Sequence, residues 1–228
     1  MVKKSFQFLK RTFTKPEGLT MSAVGPVSRF FGEDRGTPID RYYIEMFLSQ
    51  NAGAVKGSLL EIAQDRYMSA YGSNVVSKDV LHPVEGAEGA TLIADLTKPH
   101  TLPDSKFDCF ICTQTIQLIY KYIDAVHGAY KLLKPGGAIL ATLPGITQVS
   151  RFDMDRWGDC WRFTQLSAAL SFEEVFGKEN VEVKTYGNCF AAVSLLRGLS
   201  VEEVDADDLE TGDQDYPVII GVKAIKKK

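Results

Sequence analysis

The chain has 228 residues, of which 45% are hydrophobic, and its formal net charge is −3. That length allows one sizeable hydrophobic core and fits one domain better than two. The nearly balanced charge indicates no nucleic-acid-binding surface, and no uninterrupted apolar run reaches the roughly 18 residues needed to cross a bilayer. The basic N-terminus lacks the apolar centre of a signal peptide. We therefore predict a cytoplasmic, single-domain protein with no nucleic-acid partner.

Charge is concentrated in two stretches of the chain. Residues 1–15 carry five cations and no acid, interleaved with apolar side chains. This pattern allows weak contact with an anionic membrane surface, although a tail or a helix packed on the domain explains it better. Residues 202–215 carry eight acids and no base, which is typical of a solvated face or tail.

A polar segment rich in Gly, Pro, Arg and Asp spans residues 25–43. Asp40 has the position of an N-cap, so we predict a helix over 41–48. Arg29, Arg35 and Arg41 lie among acids, which favours either a structural network of ion pairs or a segment that covers a functional site.

From residue 58 onward, predicted strands and helices alternate. The predicted strands are 58–62, 74–79, 91–95, 107–112, 138–143, 181–186 and 217–225. The predicted helices after the first strand are 66–72, 116–133, 164–176 and 190–196. Such alternation is typical of a parallel sheet with crossover helices. We predict an α/β three-layer sandwich, in which a mostly parallel seven-stranded sheet has helices on both faces.

The whole chain, 1–228, is predicted to be one domain with three parts. Residues 1–56 form an N-terminal cap segment, 57–186 the ligand-binding core, and 187–228 a C-terminal helix, the acidic segment and the last strand. Cys109 and Cys112 have a metal-site spacing, but they lie in an apolar strand where residues three apart point to opposite faces. We interpret both as core residues and predict no metal site.

Acidic side chains end three predicted strands in succession. Glu61 ends the first, Asp79 follows it by 18 residues, and Asp95 comes 16 residues later. In doubly wound sheets, an acid at the end of the second strand accepts hydrogen bonds from ribose hydroxyls. An acid on the third strand could accept from an adenine amino group. The sequence therefore predicts a nucleoside site at the carboxyl ends of the strands.

These acids, with Phe107-Asp-Cys-Phe-Ile-Cys-Thr113 and Leu132-Leu-Lys-Pro-Gly-Gly-Ala-Ile-Leu140, resemble the motifs of class I, Rossmann-like methyltransferases that use S-adenosylmethionine. Arg151-Phe-Asp-Met-Asp-Arg-Trp-Gly-Asp-Cys-Trp-Arg-Phe-Thr164 and Pro26-Val-Ser-Arg-Phe-Phe-Gly32 resemble a subset associated with bacterial surface-polysaccharide synthesis. The resemblance implies that S-adenosylmethionine is the cofactor.

The resemblance also implies positions for the cofactor's parts. Glu61 would lie near the methionine amino group, Asp79 at the ribose, Asp95 with Leu96 at the adenine, and Thr113 near the sulfonium. The remaining residues implied at the cofactor are Ala63, Tyr67 and Val80. The family has glycines after the first acid, whereas this chain has Ala63-Gln-Asp65. We therefore expect a differently shaped turn, with Tyr67 packed on the cofactor.

Methyl transfer from a sulfonium is an in-line displacement that depends on alignment, and an oxygen acceptor also has to lose a proton. The candidate bases are His82, His127 and the loop acids Asp153, Asp155 and Asp159, of which we take Asp155 and His82 as the catalytic residues. A loop over 144–163 is rich in aromatic and charged residues, which suit a sugar or a phosphate. Its candidate acceptor-binding residues are Arg151, Arg156, Trp157 and Trp161.

Two functions are compatible with these features. The first is an S-adenosylmethionine-dependent methyltransferase that acts on a small or carbohydrate-linked acceptor, at oxygen. The alternative is a non-catalytic protein that keeps the fold as a binding or regulatory module, because its glycine turn has changed.

Overall fold

The computed structural model describes residues 24–228. Its seven strands are β1 Lys56–Ile62, β2 Ser73–His82, β3 Leu92–Ile93, β4 Phe107–Thr113, β5 Leu133–Pro144, β6 Val181–Tyr186 and β7 Ile219–Ile225. They form one sheet in the order β3-β2-β1-β4-β5-β7-β6. β1 to β5 pair in parallel, and β7 runs antiparallel to β5 and β6. The predicted seven-stranded, mostly parallel sheet is confirmed.

Helices cover both faces of this sheet. They are α1 Ile39–Gln50, α2 Arg66–Tyr71, α3 Tyr122–Leu132, α4 Arg151–Met154, α5 Gln165–Phe176, α6 Cys189–Arg197 and α7 Ala206–Glu210. A separate hydrophobic cluster lies on each face of the sheet. Cys109 belongs to one cluster and Cys112 to the other, and both side chains are fully buried. Their prediction as core residues on opposite faces is confirmed.

Two predicted boundaries at the carboxyl edge of the sheet are wrong. β2 does not end at Asp79, because Val80 and Leu81 continue the pairing with β1 opposite Glu61 and Ile62. β3 is also shorter than predicted, since only Leu92–Ile93 pair with β2. The end of β2 therefore lies at His82.

The helix predicted over 116–133 is divided. A 3₁₀ turn covers Ile116–Leu118, and α3 begins only at Tyr122. The Gln117 carbonyl accepts the Cys160 and Trp161 N–H groups, and the Tyr120 carbonyl accepts the Trp161 indole N–H. These carbonyls accept hydrogen bonds from the long loop instead of from a following helical turn, so the helix does not begin before Tyr122.

The N-terminal segment is fastened to the C-terminal part of the chain. The Arg35 guanidinium pairs with the Glu203 carboxylate, and both side chains are more than nine-tenths buried. Pro38 bridges to Ser200, and the Glu202 carboxylate accepts the Thr37 N–H. The acidic stretch is therefore only partly a solvated face: Glu202 and Glu203 fasten the segment, while the acids from 205 onward are exposed.

This segment leads directly into the first described helix. Asp40 is not its N-cap, since α1 begins at Ile39 after Pro38 and Asp40 lies in the first turn. The basic stretch 1–15, for which we predicted a membrane contact, lies outside the described residues. Between 24 and 228, no helix is long and apolar enough to cross a membrane.

Candidate functional site

A cavity of about 270 Å³ opens at the carboxyl edge of the sheet. Parts of the chain that are distant in sequence form its wall: the segment before α1 and the start of that helix, the turn after β1, the ends of β4 and β5, and the long loop. Its polar lining residues are Glu33, Asp40, Arg41, Gln64, Arg66, Tyr67, Thr113, Gln114, Gln117, Thr147, Gln148, Ser150, Asp153, Asp159 and Arg162. This is where open α/β sheets bind ligands.

Glu61 lies beneath the turn after β1 and is 2% exposed. Its carboxylate accepts the main-chain N–H groups of Tyr67, at 3.0 and 3.1 Å, and of Met68, at 2.7 Å. Burial raises the pKa of this carboxyl to about 7, although the two N–H groups act in the opposite direction. Glu61 thus fixes the start of α2 against the end of β1.

The turn after Glu61 keeps the geometry that glycine usually supplies. Ala63 has a φ of +64°, in the left-handed region where a Cβ costs about 1–2 kcal/mol. Its N–H donates to the Leu81 carbonyl at 3.0 Å, which ties the turn to β2. The expectation of a differently shaped turn is therefore wrong at Ala63. Tyr67 is buried beside Tyr71 and also lines the cavity.

The predicted ribose acid, Asp79, lies inside β2 and already has protein partners. Its carboxylate is 2.9 Å from the Lys106 ammonium and accepts the Thr91 hydroxyl at 2.9 Å. Val80 and Leu96 are core residues, 7% and 4% exposed. Contacts of Val80 and Leu96 with a cofactor stay a prediction.

Asp95 lies two residues beyond β3 and organises its own loop. Its Oδ1 accepts the N–H and hydroxyl of Thr97, and its Oδ2 is 3.1 Å from the Lys98 ammonium. Burial alone would raise the pKa of Asp95, but these contacts hold it below its ordinary value. The carboxylate is one-third exposed and stays accessible from solvent.

His82 occupies the true end of β2. Its Nδ1 lies 3.1 Å from the Val84 nitrogen, and its ring meets the Trp157 indole edge-to-face with centroids 5.6 Å apart. His82, predicted as a base, and Trp157, predicted to contact the acceptor, are therefore neighbours. They lie where a doubly wound sheet places a ribose.

The other catalytic and acceptor-binding residues predicted in the long loop lie away from the cavity. Asp155 and Arg151 form an exposed pair 3.5 Å apart, and the Arg156 guanidinium covers the Phe152 ring at 3.6 Å. Trp161 stacks on Tyr120 and meets Tyr122 edge-on. The loop reaches the cavity with two other candidate bases, Asp153 and Asp159, and with Arg162.

Asp40, Gln114 and Gln117 are cavity residues that the sequence reading missed. Burial raises the pKa of the Asp40 carboxyl, against the opposing effect of the Arg41 N–H and charge. Gln114 follows Thr113 with a φ of +46°, and the Gln117 side chain is buried. One signal was available: polar residues interrupt the apolar run directly after β4, at the carboxyl edge.

The element order and the cavity at this edge define a class I methyltransferase fold. Residues 51–141 match a protein family described as a methyltransferase domain. A search of curated proteins found no match to the sequence.

Solved structures share the fold at low sequence identity. A SAM-dependent methyltransferase from Archaeoglobus fulgidus aligns with 82% of this chain and 94% of its own, with a TM-score of 0.53 and 11% identity. A second S-adenosylmethionine-dependent methyltransferase, from Mesorhizobium loti, aligns with 82% of this chain and 98% of its own, with a TM-score of 0.53 and 15% identity. The N-methyltransferase NodS from Bradyrhizobium japonicum WM9 was solved with S-adenosylhomocysteine. It aligns with 84% of this chain and 89% of its own, with a TM-score of 0.51 and 12% identity.

A methyltransferase domain thus matches residues 51–141, and the described chain has the fold of S-adenosylmethionine-dependent methyltransferases. The donor set at the carboxyl edge fits this cofactor. Thr113 and Gln64 line the cavity and would hold its amino-acid end, while His82 at the end of β2 and the accessible Asp95 would hold its nucleoside end. When bound, the cofactor supplies an activated methyl group on sulfur.

Proposed function

We propose that the protein transfers a methyl group to an oxygen atom of a small or carbohydrate-linked acceptor bound in the cavity. The observation that carries this proposal is the position of the cavity, which reaches Thr113 at the end of β4 and is lined mainly by polar groups. An exposed aromatic side chain, Phe30, lines the cavity. Such rings stack on the apolar faces of sugars, which supports a carbohydrate-linked acceptor.

Asp40 is the proton acceptor that this arrangement favours over Asp155 and His82. It lines the cavity, whereas Asp155 pairs with Arg151 in solvent and His82 lies against Trp157. Burial raises the pKa of Asp40 above its ordinary value, which makes it a stronger base than an ordinary carboxylate for a hydroxyl proton. S-adenosylmethionine would supply the methyl group, and Asp40 would hold the proton that the acceptor hydroxyl releases.

His82 takes the ribose position in this proposal, in place of Asp79. The His82 ring stands at the end of β2, while the Asp79 carboxylate is paired with Lys106. One hydrogen bond to a ligand contributes about 0.5–1.5 kcal/mol, so His82→Ala should weaken S-adenosylhomocysteine binding by roughly 2- to 12-fold. Asp79→Ala, which removes no contact with the nucleoside, should change that affinity by less than about twofold.

Calorimetric titration of S-adenosylhomocysteine into the full chain tests both the function and the placement. Circular dichroism and thermal melting of each variant check that it is folded. Absence of binding to the folded wild type would contradict the proposed function. A larger loss of affinity in Asp79→Ala than in His82→Ala would contradict the placement alone.

A further inference from the structure

The Gln117 side chain carries a buried polar atom that the protein itself leaves unsatisfied. The residue is 6% exposed and lines the cavity. Its Nε2 donates to the Gln114 Oε1 at 3.2 Å, but its own Oε1 has no hydrogen-bond partner among the described residues. Buried polar atoms are normally paired, because an unpaired one costs folding free energy. The cavity wall thus includes a residue whose acceptor oxygen is shielded from solvent and has no partner among the described residues.

The charges around the cavity are unevenly compensated. Each arginine in the wall faces a carboxylate: Arg41 is 3.8 Å from Glu33, Arg66 is 2.6 Å from Glu45, and Arg162 is 2.6 Å from Asp159. Two more wall carboxylates, Asp40 and Asp153, have no ion-pair partner in the described part of the chain. Carboxylates in and behind this wall therefore outnumber guanidinium groups by five to three.

Carboxylates and a free amide oxygen can accept hydrogen bonds but cannot donate them. A phosphate brought beside Asp40 and Asp153 would meet like charges, and the guanidinium groups that could bind it are already paired. A hydroxyl or ammonium group would instead supply the donors that these oxygens lack.

We propose that the cavity selects an uncharged or cationic acceptor, a polyol or an amino sugar, through hydrogen bonds donated to Gln117 Oε1 and Asp40. A phosphate on the part of the acceptor inside the cavity is excluded. This inference rests on the proposed function, because it names the class of acceptor for that site. It also assigns to Gln117 a positioning role that the transfer chemistry itself does not require.

Saturation-transfer NMR on the full chain, with excess S-adenosylhomocysteine, tests this selectivity. The probes are D-glucose, D-glucosamine and D-glucose 6-phosphate at equal millimolar concentration. We expect saturation transfer to the first two and at least threefold less to the phosphate, with the signals lost in Gln117→Met. A stronger signal from the phosphate, or no signal from any probe, would overturn the inference.

The melting temperature separates a binding role for Gln117 from a structural one. Gln117→Met removes the unsatisfied oxygen and keeps the side-chain volume, so the melting temperature should rise by about 2–4 °C. Ser194→Ala is the matched control, because the Ser194 hydroxyl is also buried without a partner but lies outside the cavity wall. Ser194→Ala should be at least as stable as the wild type and should give the same probe signals as the wild type.

A lower melting temperature in Gln117→Met, together with unchanged probe signals, would show a structural role and refute the inference. The two proposals also fail separately. Probe selectivity without S-adenosylhomocysteine binding would refute the proposed function and leave the acceptor class standing. Tight S-adenosylhomocysteine binding together with preference for D-glucose 6-phosphate would refute the acceptor class and leave the proposed function standing.

Discussion

Glu61 illustrates how one buried carboxyl organises the edge of the sheet. The folded protein holds its pKa at about 7, compared with an ordinary value of 4.5. Between these values the folded chain binds the proton more tightly than the unfolded chain, so stability falls as pH rises from about 4.5 to 7. The shift corresponds to roughly 3 kcal/mol, lost across this range.

Urea unfolding at pH 5 and pH 8 measures this loss. Wild type should lose more stability between the two pH values than Glu61→Gln, which cannot ionise, by an amount approaching 3 kcal/mol. The exposed Glu88→Gln is the control and should behave as wild type. Equal pH dependence in wild type and Glu61→Gln would show that the Tyr67 and Met68 N–H groups keep the carboxyl ionised.

The sequence predicted Glu61 and Thr113 at the carboxyl edge, because a residue that ends a parallel strand is placed there by the sheet alone. It could not predict Asp40 or Gln117 in the same way. Their positions depend on where two non-adjacent segments fold over the sheet. The sequence also gave no indication that Ala63 would adopt a left-handed conformation. That conformation is held by the hydrogen bond from the Ala63 N–H to the Leu81 carbonyl, on a neighbouring strand.

At the scale of elements, the long loop is held in place by one buried ion pair. The Arg162 guanidinium binds both Asp159 oxygens, at 2.6 and 2.8 Å, and the Gln148 carbonyl at 2.7 Å. Asp159 also accepts the Ser150 N–H at 2.9 Å. Burial would raise the pKa of Asp159, but Arg162 and this N–H hold it below its ordinary value. These contacts join both ends of the loop.

Arg162→Met should therefore open the loop locally. It leaves a buried carboxylate without its partner, a change that costs about 3–5 kcal/mol, and local opening is the way to rehydrate that carboxylate. Hydrogen-exchange mass spectrometry should show faster exchange over residues 146–163 and unchanged exchange in β1 and β4. Arg151→Met, which removes only an exposed pair with Asp155, should leave the loop as protected as in wild type.

Unchanged protection in Arg162→Met would contradict this account of the loop. The sequence predicted an acceptor-binding loop over 144–163 without identifying the ion pair that holds it. Arg162 was not among the candidates, because pairing depends on the path of the loop. The extent of β2 was misjudged for a related reason: the acid Asp79 was interpreted as a strand end, although it pairs laterally with Lys106.

At the scale of the whole molecule, the two ends of the described chain stabilise each other and shape the cavity. The segment that carries Asp40 into the wall lies against residues 197–203. A Cβ at Gly198 would lie 2.1 Å from the Ser28 carbonyl oxygen, so only glycine permits this close approach. The sequence predicted the sheet between these ends because each strand and each helix carries its own local pattern of apolar residues. Contact across 168 residues, from Arg35 to Glu203, leaves no periodic signal.

The Arg35–Glu203 pair is the test of this arrangement. Arg35→Met leaves the buried Glu203 carboxylate without the guanidinium, which should cost about 3–5 kcal/mol of unfolding free energy. Arg35→Met combined with Glu203→Met removes both charges and should recover a large part of that loss, because apolar replacements of a buried pair are often neutral. Lys98→Met, which breaks an exposed pair with Asp95, should cost less than about 1 kcal/mol.

Urea unfolding of wild type, both single variants and the double variant gives the coupling energy directly. Glu203 also accepts the Ser200 N–H at 3.0 Å, so Glu203→Met loses this hydrogen bond as well as the ion pair. The double variant should therefore remain slightly less stable than wild type. If the losses in the two single variants simply add in the double variant, the pair has no coupling, and packing alone holds the segment against the rest of the protein.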